Sequence, residues 1–200
     1  MRLPRIAVLL VGPAVLLSGC LGTPATDTNT PSPTAQATID IEWGPLVLTS
    51  TDVREGEPIP PDMMSGSLAY CDGPNISPQA SWSVGPEGTT SYAIHFANTS
   101  YDEPRTYWFM YDIPIGVTSV ESGGSNALEG RRGLNVIGLT YYIGPCLEWD
   151  SAHTFEFTIY ALDAEFGERG VGHVECMERM EGHVLDVSTI NATATGAPKP

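Results

Sequence analysis

Along residues 154–161 the apolar and polar side chains take turns. Phe155, Phe157 and Ile159 fall on one side, and Glu156, Thr158 and Tyr160 on the other. A period of two sends successive side chains to opposite faces, so the segment predicts a β-strand with one face against a core. Residues 46–50, 90–97 and 107–113 are rich in β-branched and aromatic side chains and also predict strands. The third stops at Pro114, which has no N–H to give to a sheet ladder. Gly85-Pro-Glu-Gly88 and Gly123-Gly124 read as turns between strands. A second period appears late in the chain. Val174, Met177, Met180 and Val184 recur at three- and four-residue steps and predict an amphipathic helix over residues 174–185. Many strands with one C-terminal helix predict a mainly β fold, an antiparallel β-sandwich.

The start of the chain follows neither pattern. Arg2 and Arg5 precede an apolar run over residues 6–17 that Gly12 and Pro13 interrupt. The run is shorter than the about 20 residues that a membrane-spanning helix needs. A basic start, a short apolar stretch and small residues at its end predict a signal peptide over residues 1–19. Leu17-Ser18-Gly19-Cys20 is similar to a lipobox, which makes Cys20 the predicted lipidation site and the new first residue. Residues 20–40 are rich in Thr, Pro, Ala and Ser and poor in large apolar side chains, so they predict a tether and not a core. Residues 41–196 are long enough for one domain with a sizeable core. These features place the predicted domain on the extracytoplasmic face of the cell membrane, lipid-anchored through Cys20.

Charge narrows the partners. The chain carries 24 Asp and Glu against 9 Lys and Arg, and Lys199 is its single lysine. Nucleic acid is excluded, because its binding depends on neutralising phosphates with Lys and Arg. The surface also offers no polybasic patch for anionic head groups. An acidic, lysine-poor surface resembles that of halophilic proteins, where salt screens the repulsion between carboxylates. Beyond Cys20 there are Cys71, Cys146 and Cys176, and no pair has a metal-ligand spacing. No His-Glu-x-x-His helix and no Gly-x-Ser-x-Gly elbow is present. No metal or cofactor is predicted.

Several blocks then carry a resemblance. They are Cys71-Asp-Gly-Pro-Asn-Ile-Ser-Pro-Gln-Ala-Ser-Trp82, Gly85-Pro-Glu-Gly-Thr-Thr-Ser-Tyr-Ala93, Tyr111-Asp-Ile-Pro114, Tyr141-Tyr-Ile-Gly-Pro-Cys146, the segment from His153 to Asp163, and Met180-Glu-Gly-His-Val-Leu185. In this order and spacing they resemble the phosphatidylethanolamine-binding protein family, also called the Raf kinase inhibitor-like family. The resemblance implies that family's β-sandwich. It also implies a small surface pocket for phosphate-like anions, built by a Gly-Pro loop, histidines, carboxylates and an aromatic ring, with no nucleophile.

Carried onto this chain, the resemblance selects Gly144 and Pro145 for the loop and His153 for the second histidine. The family's Asp-Pro-Asp-Ala-Pro aligns with residues 98–104, which selects Asn98 at the first Asp or, with a short insertion, Asp102 at the second. Tyr107 stands where the first histidine is expected, and Phe155 where a tyrosine is. Glu148 follows the loop where the family has proline. These exchanges remove polar partners worth about 1.5–3 kcal/mol each toward a charged ligand. The pocket is therefore expected to prefer a neutral or cationic ligand, or none. The resemblance also brings Cys71 and Cys146 near the pocket, where either a disulfide or free thiols fit.

The predicted function is non-catalytic: binding of a small anionic or polar ligand, or of an extracellular protein, beside Gly144 and Pro145. One alternative is an inhibitor of a surface peptidase. Another is a hydrolytic or redox enzyme using His153 and Cys146. A third is a structural surface module, which a glycan on Asn98 would favour. Asn75, Asn98 and Asn191 each begin an Asn-x-Ser/Thr triplet, with Asn191 the best placed. His95 is read as strand packing, His173 and His183 as structural, and Trp82 and Trp108 as core aromatics.

Overall fold

Where the sequence alternates, the backbone is extended. The computed structural model describes residues 41–66, 71–167 and 170–200. The predicted signal peptide and the whole tether, with Cys20, lie outside the described residues. The strands are β1 (Leu48–Thr49), β2 (Ala80–Trp82), β3 (Ser91–Asn98), β4 (Arg105–Pro114), β5 (Ser119–Val120), β6 (Arg131–Arg132), β7 (Ala152–Leu162) and β8 (Val184–Thr195), with helix α1 (His173–Met180) before the last. The larger sheet runs β6-β4-β3-β7-β8 and the smaller β1-β2-β5, and their strand pairs are antiparallel.

β3 is buried along its whole length because both faces of the larger sheet are covered. One face packs against the smaller sheet. Phe96, Trp108, Phe155, Phe157 and Ile159 there meet Leu48, Trp82 and Val120. The opposite face is covered by α1, where Ala93, Phe109 and Tyr111 meet Val171, Cys176 and Met180. The alternation read in β7 is realised, with Phe155, Phe157 and Ile159 fully buried and Glu156 exposed. Truncating such a phenylalanine to alanine costs about 3–5 kcal/mol. Among the described residues no helix is long and apolar enough to cross a membrane.

The late helix is shorter than its apolar stripe predicts. α1 ends at Met180, and Gly182 then takes a φ of 81° that turns the chain into β8. Val184 fits the helical spacing but begins a twelve-residue strand. Val174 is 69% exposed, and the buried side of α1 is Cys176 and Met180. β8 escapes sequence reading because its inward residues near the end are Ala192 and Ala194, too small to stand out between threonines.

The Tyr111-Asp-Ile-Pro114 block has a structural task. Asp112 sits at a φ of 50°, in a left-handed conformation that Asp tolerates better than most residues. Its carboxylate accepts the N–H groups of Phe166 and Gly167, each at 2.8 Å, and faces Arg131 Nε at 3.5 Å. It fastens the loop that leads to α1.

Candidate functional site

Three of the sequence-selected residues converge at one end of the larger sheet. Asn98 ends β3 and pairs with Arg105 of β4 and Phe155 of β7. His153 lies two residues before Phe155, at the start of β7. The β3–β4 register slips between Phe96–Trp108 and Ala97–Thr106, leaving Tyr107 as the extra residue of a β-bulge. Bulges re-aim side chains. This one lets Tyr107 share a core cluster with its neighbour Trp108.

The hydrogen bonds there have one consistent direction. Asn98 is fully buried, and its Oδ1 accepts the Ser100 N–H at 3.0 Å. That fixes the amide, so Nδ2 is the donor facing His153 Nδ1 at 3.2 Å. Nδ1 is therefore the acceptor, and Nε2 carries the proton that goes to Ser151 Oγ at 3.1 Å. The Ser151 hydroxyl donates onward to the Glu148 carbonyl at 2.6 Å. Burial pushes the Tyr107 phenol above its ordinary value. The Tyr101 ring lies 5.4 Å from the His153 ring, and the Arg105 guanidinium stands 3.6 Å over Tyr101.

The Gly144-Pro145 loop reaches the same end. Ile143 donates its N–H to the Tyr107 carbonyl at 3.1 Å. The loop is clamped from behind: Gly144 N–H donates to Asn75 Oδ1 at 2.5 Å, and the Pro145 carbonyl accepts from Ser65 N–H at 3.0 Å. A Cβ on Gly144 would stand 2.1 Å from the Met63 carbonyl oxygen. Glycine is required here for packing against residues 63–65. The Gly144 N–H is taken by Asn75 and is not open to a ligand. Cys71 and Cys146 form a disulfide with their Cα atoms 5.6 Å apart, closing the alternative that the sequence left open.

Other expectations are redirected. Phe155 is fully buried and stacks on Phe96 at 5.4 Å, so its ring is core and not pocket wall. Asp102 is exposed in the β3–β4 loop, and the carboxylate is not part of the Asn98–His153–Ser151 chain. Cys146 is bonded to Cys71 and presents no thiolate for the hydrolytic or redox alternative. The free Cys176 is buried, and burial pushes its thiol up to about 12, which makes it inert. A glycan on Asn98 is excluded by complete burial, whereas Asn75 and Asn191 are exposed. His95, as read, is packing: it is buried, bonds Thr106 Oγ1 at 3.0 Å and stacks on His173 at 3.9 Å. Among the described residues no cluster of His, Cys, Asp or Glu is arranged to hold a metal ion.

Sequence reasoning missed Tyr101, Arg105 and Ser151. Only Ser151 had a signal, its place two residues before His153. Tyr101 and Arg105 sit where the chain departs from the family pattern, so the resemblance had no role to give them.

Comparison with known proteins agrees with this geometry. Residues 49–195 match the family model "Phosphatidylethanolamine-binding protein". A UPF0098 protein of Methanothermobacter thermautotrophicus is 36% identical over 125 residues, 58% of this chain and 80% of that protein. One from Chlamydia muridarum is 31% identical over 155 residues, 74% of this chain and 97% of its own length. The solved structure of a putative phosphatidylethanolamine-binding protein homologue from Chlamydia trachomatis superposes with a TM-score of 0.65 at 28% identity, covering 74% of this chain and 96% of that one. Escherichia coli YbcL shares the fold with a TM-score of 0.68 at 23% identity, over 78% of this chain and all of that one. The family model spans residues 49–195, and on the extent of that match the chain belongs to the phosphatidylethanolamine-binding protein family.

Proposed function

We propose that this chain is a non-catalytic binding domain, tethered outside the cell membrane through Cys20, whose His153 site takes a small neutral or cationic polar group in preference to phosphate. One observation carries the preference. The donors that a phosphate would need are already committed: His153 Nε2–H to Ser151, Asn98 Nδ2–H to His153, and Gly144 N–H to Asn75. An anion would have to break these bonds, and each costs about 0.5–1.5 kcal/mol. The Tyr101 ring, 5.4 Å from that of His153, already holds the Arg105 guanidinium 3.6 Å over its face, the kind of contact that an aromatic face makes with a cation. The acidic balance of the chain, with a formal net charge of −15, works in the same direction.

The test is a titration of the full chain in high salt, following the His153 ring by NMR. The three probes are inorganic phosphate, phosphoethanolamine and choline. A saturable shift with choline that is lost in Tyr101→Ala, and none with inorganic phosphate, is the expected result. Tight phosphate or phosphoethanolamine binding that disappears in His153→Ala would sink the proposal.

A further inference from the structure

Residues 133–147 contain no Asp, Glu, Lys or Arg, in a chain whose formal net charge is −15. The loop at the start of this stretch is built around one side chain. Asn135 is 7% exposed. Its Oδ1 accepts the N–H groups of Ile137 at 3.1 Å and Leu139 at 2.9 Å, and its Nδ2 donates to the Tyr141 carbonyl at 2.9 Å. Its own N–H donates to the Leu139 carbonyl, and its carbonyl accepts from Gly138. Val136 N–H donates to the Thr106 carbonyl of β4 at 2.7 Å. With its polar groups turned inward, the loop presents Val136, Ile137, Leu139 and Tyr141 to solvent, at 45%, 57%, 36% and 47% exposure.

Beside it lies a cavity of about 570 Å³, lined among others by Tyr101, Glu103, Arg105, Val136, His173 and Val174. His173 is held neutral, because burial lowers its affinity for a proton. Arg105 is engaged with Tyr101. The balance of charge at the rim is acidic: Glu103 lines the cavity and exposed Asp102 precedes it, against Arg105 alone. A preorganised apolar centre with a charged rim has the anatomy of a protein interface.

Charge decides the occupant. A second copy would bring acidic rim against acidic rim, and like charges facing each other oppose association. Membrane-docking patches carry Lys and Arg around their apolar residues, and here the flanks are carboxylates. We infer that this face, which adjoins the His153 site through Tyr101 and Arg105 but is built on residues 136–141 and Val174, docks a polypeptide segment whose apolar side chains are flanked by Lys and Arg. The apolar side chains of the partner would enter the cavity beside Val136 and Val174, and its cations would face Glu103 and Asp102.

The experiment uses the full chain and three fluorescent dodecapeptides. One alternates Leu and Phe with Arg and Lys; the second has Glu in place of the basic residues; the third has Ser in place of the apolar ones. Saturable binding of the first alone is expected, weakened about fivefold or more by Ile137→Ser or Val174→Ser and weakened further by salt. Both positions are exposed, so the variants keep the fold, and circular dichroism checks this. Failure of the first peptide to bind, or equal binding of the Glu peptide, overturns the inference. So does self-association in sedimentation velocity that Ile137→Ser abolishes, or partition to phosphatidylcholine vesicles that the same change reduces.

Discussion

Replacing Asn98 with alanine tests the hydrogen-bond chain on which the site reading depends. The amide is fully buried, accepts from Ser100 N–H at 3.0 Å and donates to His153 Nδ1 at 3.2 Å. Alanine removes both and leaves the Ser100 N–H and His153 Nδ1 without their partner. With about 1 kcal/mol for each bond, the expected loss is about 2 kcal/mol. For a domain of this size that lowers the melting temperature by about 4–8 °C. Chemical unfolding in high salt, with the slope compared to the parent, measures the loss. Asn98→Asp separates stability from direction. Its carboxylate keeps the acceptor for Ser100 but turns the Nδ2 donor into an oxygen. His153 must then donate from Nδ1, so the neutral ring passes from the Nε2–H to the Nδ1–H tautomer, which ring ¹⁵N shifts report. A loss below about 0.5 kcal/mol in Asn98→Ala, within the scatter of surface substitutions, would refute the reasoning. So would a parent His153 already in the Nδ1–H form.

Three further outcomes follow from the same structure. Reduction of the Cys71–Cys146 disulfide, which spans 75 residues of sequence, removes up to ~4.5 kcal/mol by loop-closure entropy. Thermal unfolding with and without reductant measures it, and an unchanged midpoint contradicts it. Gly144→Ala forces the loop off the Met63 carbonyl and lowers the unfolding free energy by about 1–3 kcal/mol in chemical denaturation, whereas Gly116→Ala, with open space around it, stays near the parent. Burial, with His173 second, holds the His95 pKa well below 6.5, and burial lowers that of His173. As pH falls below about 6.5 the unfolded chain takes up protons that the fold refuses. Stability is therefore level above that pH and falls below it, by up to about 1.4 kcal/mol per pH unit for each histidine. A denaturation series from pH 7.5 to 5.5 that shows no such fall removes the claim.

The sequence by itself determined the strands with strong contrast. Phe155, Phe157 and Ile159 against Glu156 and Thr158 are a local pattern, and period two leaves one reading. It also determined the family, because the blocks from Cys71 to Leu185 keep their order. Tertiary structure decided what depends on distant neighbours. The Tyr107 bulge arises from register between β3 and β4, and no residue within either strand announces it. Val184 satisfied a helical stripe until Gly182 turned and β7 supplied a partner for β8. Gly144 signalled close backbone approach, but only the fold shows that the approaching groups are Met63 and Asn75 and not a ligand. The direction of the His153 hydrogen bonds rests on Asn98, 55 residues away, and on Ser100 fixing that amide. A hydrogen-bond donor in the sequence is only potential; whether it is free for a ligand depends on what the fold brings to meet it.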